Sequence, residues 1–214
     1  MLYRYVCVLI LLAVSNSPVS AEDNSNFSNI LVANRVSISI PTHWKTLDEN
    51  TRKNISAAAE ALLDDPKEIT HVAALAVSSL PSPPGGIVRV SLIDGNGLTQ
   101  AELIDASKTD PVGTLKELSA QGNEIVAIGS RQLAPAGIKV LGKANTTLEN
   151  VGGKLAIAVR YRRTSTIAGE SFTVCQYHIP LGDKKIIITL SYREQDALIY
   201  RSIINRVRSS IKIR

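Results

Sequence analysis

Few residues in this chain have the chemistry for covalent catalysis or metal binding, and their spacing limits what they can do. The thiol and imidazole groups are Cys7, Cys175, His43, His71 and His178. Cys175 and His178 fall in Phe172–Ile179, a stretch that reads as a strand. An odd separation on a strand sends two side chains to opposite faces, so these two form no direct thiol–imidazole dyad. His43 or His71 could still approach Cys175 in space, but a buried structural cysteine is the commoner case. No two histidines stand in an H-x-x-x-H or H-E-x-x-H pattern, so no zinc is expected. Asp94-Gly95-Asn96-Gly97 opens like a calcium loop, yet Leu98 and Thr99 stand where an oxygen ligand and a glycine are required. Ile128-Gly129-Ser130-Arg131 lacks the second glycine of a nucleophile elbow. Gly85-Gly86 and Gly152-Gly153 read as turns rather than phosphate loops. No catalytic residue, metal site or cofactor is therefore expected.

The densest charge is Arg160-Tyr161-Arg162-Arg163. On a strand, Arg160 and Arg162 share one face, Tyr161 and Arg163 the other. A solvated strand end is the plain explanation of such a run. The binding explanation is a basic rim. The connection after Arg163 returns at about Phe172, and the connection after Ile179 carries Arg193 back to the same end of the sheet. Tyr161, Arg162, Arg163, Tyr192 and Arg193 are thus the candidate partner-binding residues, for an acidic protein surface or an anionic ligand.

These residues need elements to hold them. Val36, Ile38 and Ile40 alternate with polar residues in a half-buried strand ended by Pro41. Ile55, Ala58, Ala59, Leu62 and Leu63 form one stripe of a helix over residues 48–63. His71–Ser78 and Ile87–Ile93 read as a hairpin around a Pro/Gly-rich loop. Thr99 and Glu102 fit a capping box for a short helix. Asp110-Pro111 starts a second helix, expected to end near Gln121 with Gly122 as its stop. Strands are expected at Ile138–Ala144, Lys154–Arg163, Phe172–Ile179 and Lys185–Tyr192, the last three as an antiparallel meander. A closing helix from about Glu194 buries Ile199, Tyr200, Ile203, Ile204 and Val207. Helices interrupting an antiparallel sheet make an α+β domain.

The N-terminus reads as a cleavable export signal. Arg4 precedes a short apolar run, and Val19-Ser20-Ala21 offers small residues for cleavage before Glu22. The domain plan is a signal peptide over 1–21, a flexible N-terminal arm over 22–34 and one domain over 35–214. Removing 1–21 takes one Arg and no acid, lowering the net charge from +5 to +4. That mild charge, with export, argues against nucleic acid. No later run has the roughly 18 apolar residues of a membrane span. Only Cys175 remains after cleavage, so an intramolecular disulfide is excluded. Three Asn-x-Ser/Thr triplets occur, at Asn26, Asn54 and Asn145, a number common by chance. A periplasmic or secreted location is expected.

Ile38-Ser39-Ile40-Pro41-Thr42-His43-Trp44 resembles the strand–Pro–Trp entry of Mog1/PsbP-like domains, including the DcrB-like exported bacterial proteins. The ending is similar too, with Lys185–Tyr192 as last strand, then a helix, then Ser209-Ser210-Ile211-Lys212-Ile213. The resemblance implies an α/β/α sandwich around a mainly antiparallel sheet. It also implies an accessory or binding role, with no shared catalytic residues to carry over. Three functions remain open at this point. They are a non-catalytic periplasmic binding or accessory protein, an immunity-type protein neutralising an exported toxin, and a hydrolase whose site is assembled from distant residues.

Overall fold

The computed structural model describes residues 26–47, 75–79, 84–95, 97–134, 137–165 and 169–214. The signal peptide, the 48–63 helix and His71 lie outside the described residues.

Among the described residues, ten strands and three α-helices follow each other. The strands before the helices are β1 (Phe27–Val32), β2 (Val36–Pro41), β3 (Lys45–Thr46), β4 (Leu75–Ser78) and β5 (Gly86–Asp94). Next come α1 (Gln100–Thr109) and α2 (Pro111–Leu133). Four strands follow: β6 (Val140–Val151), β7 (Lys154–Thr164), β8 (Ser171–Pro180) and β9 (Lys184–Arg193). A 3-10 turn over Glu194–Asp196 leads into α3 (Ala197–Ser210) and β10 (Lys212–Ile213). Seven strands form an antiparallel sheet in the order β3-β4-β5-β9-β8-β7-β6, and three form a small sheet in the order β1-β2-β10.

The meander expected from the short connections is present, and it extends back to β6. Gly152 and Gly153, at φ +60° and +83°, make the two-residue turn that joins β6 to β7. A primed turn of this kind needs positive φ at both central positions. Beyond the helices, the chain re-enters the sheet at its far edge as β6 and works back to β9, which pairs with β5 from Gly86↔Tyr192 to Asp94↔Lys184.

α3 and the small sheet pack on one face of the large sheet. Val88, Val90, Ile179, Ile186 and Ile188 meet Ile38, Ile40 and Val207 there. Trp44 is buried in this layer, with its ring 6.3 Å from that of Tyr200 on α3. α1 and α2 lie on the other face, where Val126 packs against Val159, Phe172 and Val174. The molecule is an α+β domain with its antiparallel sheet between layers, as expected.

Four expectations need correction. Residues 27–32, placed in the flexible arm, form β1, because Val32 is buried and the Ser37 hydroxyl donates to Asn29 Oδ1 at 2.7 Å. α2 does not stop at Gly122 but runs on to Leu133. Glycine is there for closeness, since a Cβ would lie 2.4 Å from Thr146 Oγ1 of β6. β6 continues through the polar Asn145–Val151, half-exposed at the sheet's edge. On α3, Ile199 is 46% exposed, and burial falls on Ile204 and Val207. Both caps are as expected. Thr99 Oγ1 accepts from the Glu102 N–H, and Asp110 Oδ1 accepts from the Gly113 N–H.

Candidate functional site

Two cross-strand rows carry the site. Arg160 stands opposite Cys175 and then Leu190, and Arg162 opposite Thr173 and then Tyr192. Alternation puts both rows on one face. It is the face that α3 covers, since the Arg208 Nε donates to the Tyr177 hydroxyl at 2.9 Å. Arg201 Nε likewise donates to the Tyr192 hydroxyl at 3.3 Å, its guanidinium 6.0 Å from that ring. Between β7 and α3 lie the half-buried Thr173 and Cys175 and the buried Tyr177. Arg160 and Arg162 stand on one side of them, Arg201 and Arg208 on the other.

A glutamate stands at each end. Glu194 accepts from Arg162, from the Ser171 hydroxyl at 2.6 Å and from the Thr173 hydroxyl at 3.1 Å. The Arg162 guanidinium, above all, holds its carboxyl down at about 2. At the other end Glu149 lies 2.5 Å from Arg160 and 2.9 Å from Arg208, and accepts from the Thr147 hydroxyl at 2.9 Å. Partial burial pushes the Glu149 carboxyl up, but the bonds from Arg160 and Thr147 outweigh it and hold the group below its ordinary value. Four arginines against two glutamates leave two positive charges in excess.

This is not a nucleophilic site. Burial pushes the Cys175 thiol up, against the opposing pull of the Tyr177 hydroxyl and Arg160. A protonated thiol is a poor nucleophile. His178 lies on the opposite face, as the odd spacing required. It is buried, 3.4 Å from Gln176 Oε1, and its pKa is pushed down to about 3 by burial and by nearby Lys185. Cys175 and His178 therefore form no dyad. No group of three or more His, Cys, Asp or Glu side chains gathers for a metal ion among the described residues.

The five residues expected at a rim do meet at one end of the sheet, through Arg162↔Thr173↔Tyr192 and Arg163↔Phe172↔Arg193. They do not form one basic surface. Arg162 and Tyr192 lie on the face that α3 covers, beside Glu194 and Arg201. Tyr161 is 6% exposed on the other face, its hydroxyl pushed up to about 12 by burial. Arg163 stacks 5.0 Å from the Phe172 ring, and burial lowers its pKa. Arg193 is held by Glu170 at 2.9 Å and by Asp196.

The residues that sequence reasoning missed are Arg201, Arg208, Glu149 and Tyr177. Their signal was weak but present, as Arg201 and Arg208 are seven apart beside the apolar stripe of a helix.

Two hollows open on the helical face among the described residues. A groove of about 400 Å³ opens between α2 and the start of β6, lined by Asn123, Val126, Ser130 and Lys143. It exists because β6 bulges between Leu141 and Asn145, where Asn123 Oδ1 takes the Ala144 N–H at 3.0 Å. A second hollow of about 110 Å³ lies beside His178, walled by Leu118, Ile125 and Ile157. It is smaller than the roughly 300 Å³ a metabolite site needs.

No protein-family model matches the chain, and no curated protein matches it. Solved structures do. The solution structure of PsbP (CyanoP) from the cyanobacterium Synechocystis superposes with a TM-score of 0.51 at 12% identity, covering 89% of this chain and 94% of that one. The fold is PsbP-like. Two further structures align with lower scores. LpqN, described as involved in cell envelope biogenesis of Mycobacterium tuberculosis, gives a TM-score of 0.41 at 9% identity, over 88% of this chain and 90% of that one. A Bacteroides thetaiotaomicron protein gives 0.41 at 10% identity, over 87% of this chain and 48% of that one. The Trp44 ring of the strand–Pro–Trp entry fills the space beside Gly86 at the start of β5. Among the described residues, no helix is long and apolar enough to cross a membrane.

Proposed function

We propose that this chain is an exported, non-catalytic binding or accessory protein that engages its partner at the β7–β9 end of its PsbP-like sheet. The observation that supports the reading is the charged cluster between β7 and α3, where four arginines outnumber two glutamates around a protonated thiol. Such a surface favours contact with anionic groups over covalent chemistry. Arg162 and Tyr192 meet the partner, while Tyr161, Arg163 and Arg193 support them from within the sheet end. Export rests on Arg4, the short apolar run and Val19-Ser20-Ala21. A net charge of +4 after cleavage is too small for nucleic acid.

N-terminal sequencing of the protein from the cell-envelope fraction tests the export half. The expected first residue is Glu22, and a retained Met1 would overturn it. Affinity capture of a stoichiometric partner from the same fraction tests the binding half. Turnover of ester, peptide or phosphoester substrates by the purified protein would overturn the non-catalytic assignment.

A further inference from the structure

The net charge of this chain is concentrated in one segment. Residues 197–214 hold Arg201, Arg206, Arg208, Lys212 and Arg214, with no aspartate or glutamate. These are five of the 24 lysines and arginines, so the other 19 are matched by the 19 acids elsewhere, and the whole +5 falls on this segment. Arg208 is tied to Glu149. Arg201 and Arg206 lean on the rings of Tyr192 and Phe27 rather than on a carboxylate. Lys212 and Arg214 pair with no carboxylate among the described residues.

These four charges share one outer surface. α3 buries Ile204 and Val207. At 3.6 residues per turn, Leu198, Ser202, Asn205 and Ser209 then run along its outer side, with Arg201 and Arg206 on the two flanks. All six are exposed. In the small sheet beside α3, Ile211 and Ile213 pack on the core, so Lys212 and Arg214 point away from it. Lys212 shares a cross-strand row with Ser37 and Leu31. Apolar side chains protrude from this same surface. Leu198 is 99% exposed, and Ile199 and Leu31 are 46% exposed.

The other exposed apolar group has the opposite charge around it. Ile104, Val112 and Leu115 lie on α1 and α2, where residues 100–117 hold four acids and two lysines. An anionic surface is attracted to the first group and repelled by the second. A protein partner is usually gripped by aromatic anchors in a packed centre. Here the centre is serine and asparagine around one protruding leucine, with arginine on both sides. That is the arrangement of a helix lying in a bilayer interface, where the guanidiniums can fork onto lipid phosphates.

We infer that the outer surface of α3 and β10 rests on an anionic lipid bilayer, with Leu198 among the headgroups and Arg201, Arg206, Lys212 and Arg214 on lipid phosphates. The inference adds a second surface to the binding reading above and does not depend on it.

The test is co-sedimentation of the purified protein with vesicles of equal parts phosphatidylglycerol and phosphatidylcholine, compared with phosphatidylcholine alone. The anionic vesicles should bind it, and added salt should release it. Each basic residue near such a surface strengthens binding about fivefold, so Arg201→Gln with Arg206→Gln should weaken it at least about tenfold. Lys108→Gln with Lys116→Gln is the control, because it removes the same charge from α1 and α2 on the opposite face of the sheet. It should change binding by less than about twofold. Leu198→Ser should weaken binding about threefold. Leu198→Trp should add fluorescence that shifts to the blue on the anionic vesicles only. If the arginine pair of substitutions unfolds the chain, Lys212→Gln with Arg214→Gln carries the same expectation. Equal binding to phosphatidylcholine alone, equal loss with the lysine control, or unchanged binding by Leu198→Ser would each overturn the inference. Binding of polyglutamate without binding of the anionic vesicles would overturn it too, and would assign the surface to an acidic protein.

Discussion

His178 shows how one buried group sets a pH dependence. Its ring is neutral in the folded chain down to about 3, whereas the unfolded ring takes a proton near 6.5. The folded pKa is the lower, so the unfolded state binds more protons between these values, and stability falls as pH drops from about 6.5. Well inside the window the slope approaches about 1.4 kcal/mol per pH unit. The Glu194 carboxylate adds a loss of the same sign, but its folded pKa of about 2 confines that loss to the region below its ordinary 4.5. Between about pH 6.5 and 5, the difference in slope between the parent and His178→Gln therefore belongs to the histidine. Urea midpoints across this range should fall in the parent and flatten in the variant. Parallel slopes would show that His178 is protonated without penalty.

Gly122 tests whether α2 sits where it does because of one missing methyl group. On helix propensity alone, Gly122→Ala should stabilise α2 by about 1 kcal/mol. The new Cβ would instead meet Thr146 Oγ1 at 2.4 Å, a short β-branched side chain with little room to yield. Overpacking should win, and the variant should lose about 1–3 kcal/mol. Thr146→Ala removes the hydroxyl, which is buried without a hydrogen-bond partner, and should restore the alanine variant to the parent's stability or above. A non-additive double-mutant cycle by thermal or urea unfolding is the check. The same element marks the limit of what composition reveals. Thr99, Glu102, Asp110 and Pro111 act locally, so both helix starts were legible in the sequence. The end of α2 and the length of β6 were not, because Gly122 and the polar run Asn145–Val151 are explained only by each other's position across the layers. Likewise Arg160, Arg162 and Arg193 were legible as charges of one sheet end. Their pairing with Glu149, Glu194, Glu170 and Asp196 depends on contacts from other elements and left no local pattern.

At the scale of the molecule, the chain's last residues complete its first sheet. Lys212 and Ile213 pair with Ser37 and Val36, Ile211 is 3% exposed, and the Arg214 N–H donates to the Arg35 carbonyl at 2.9 Å. Deleting residues 211–214 should cost at least about 2 kcal/mol, because it empties a buried isoleucine site and frees the edge of β2. Denaturant unfolding of the truncated protein measures it, and an unchanged midpoint would mean that β10 is ornamental. The pairing of β5 with β9 has a consequence in time. Each residue of β5 finds its partner roughly a hundred residues later in the chain. On the ribosome, the apolar run Ile87–Ile93 emerges long before β9 exists, with only the short β4 beside it. The nascent chain is held open until synthesis is nearly finished. In the export proposed above, that delay would keep the chain thin enough to thread through a secretion pore, and it leaves β5 with one edge unpaired until β9 arrives.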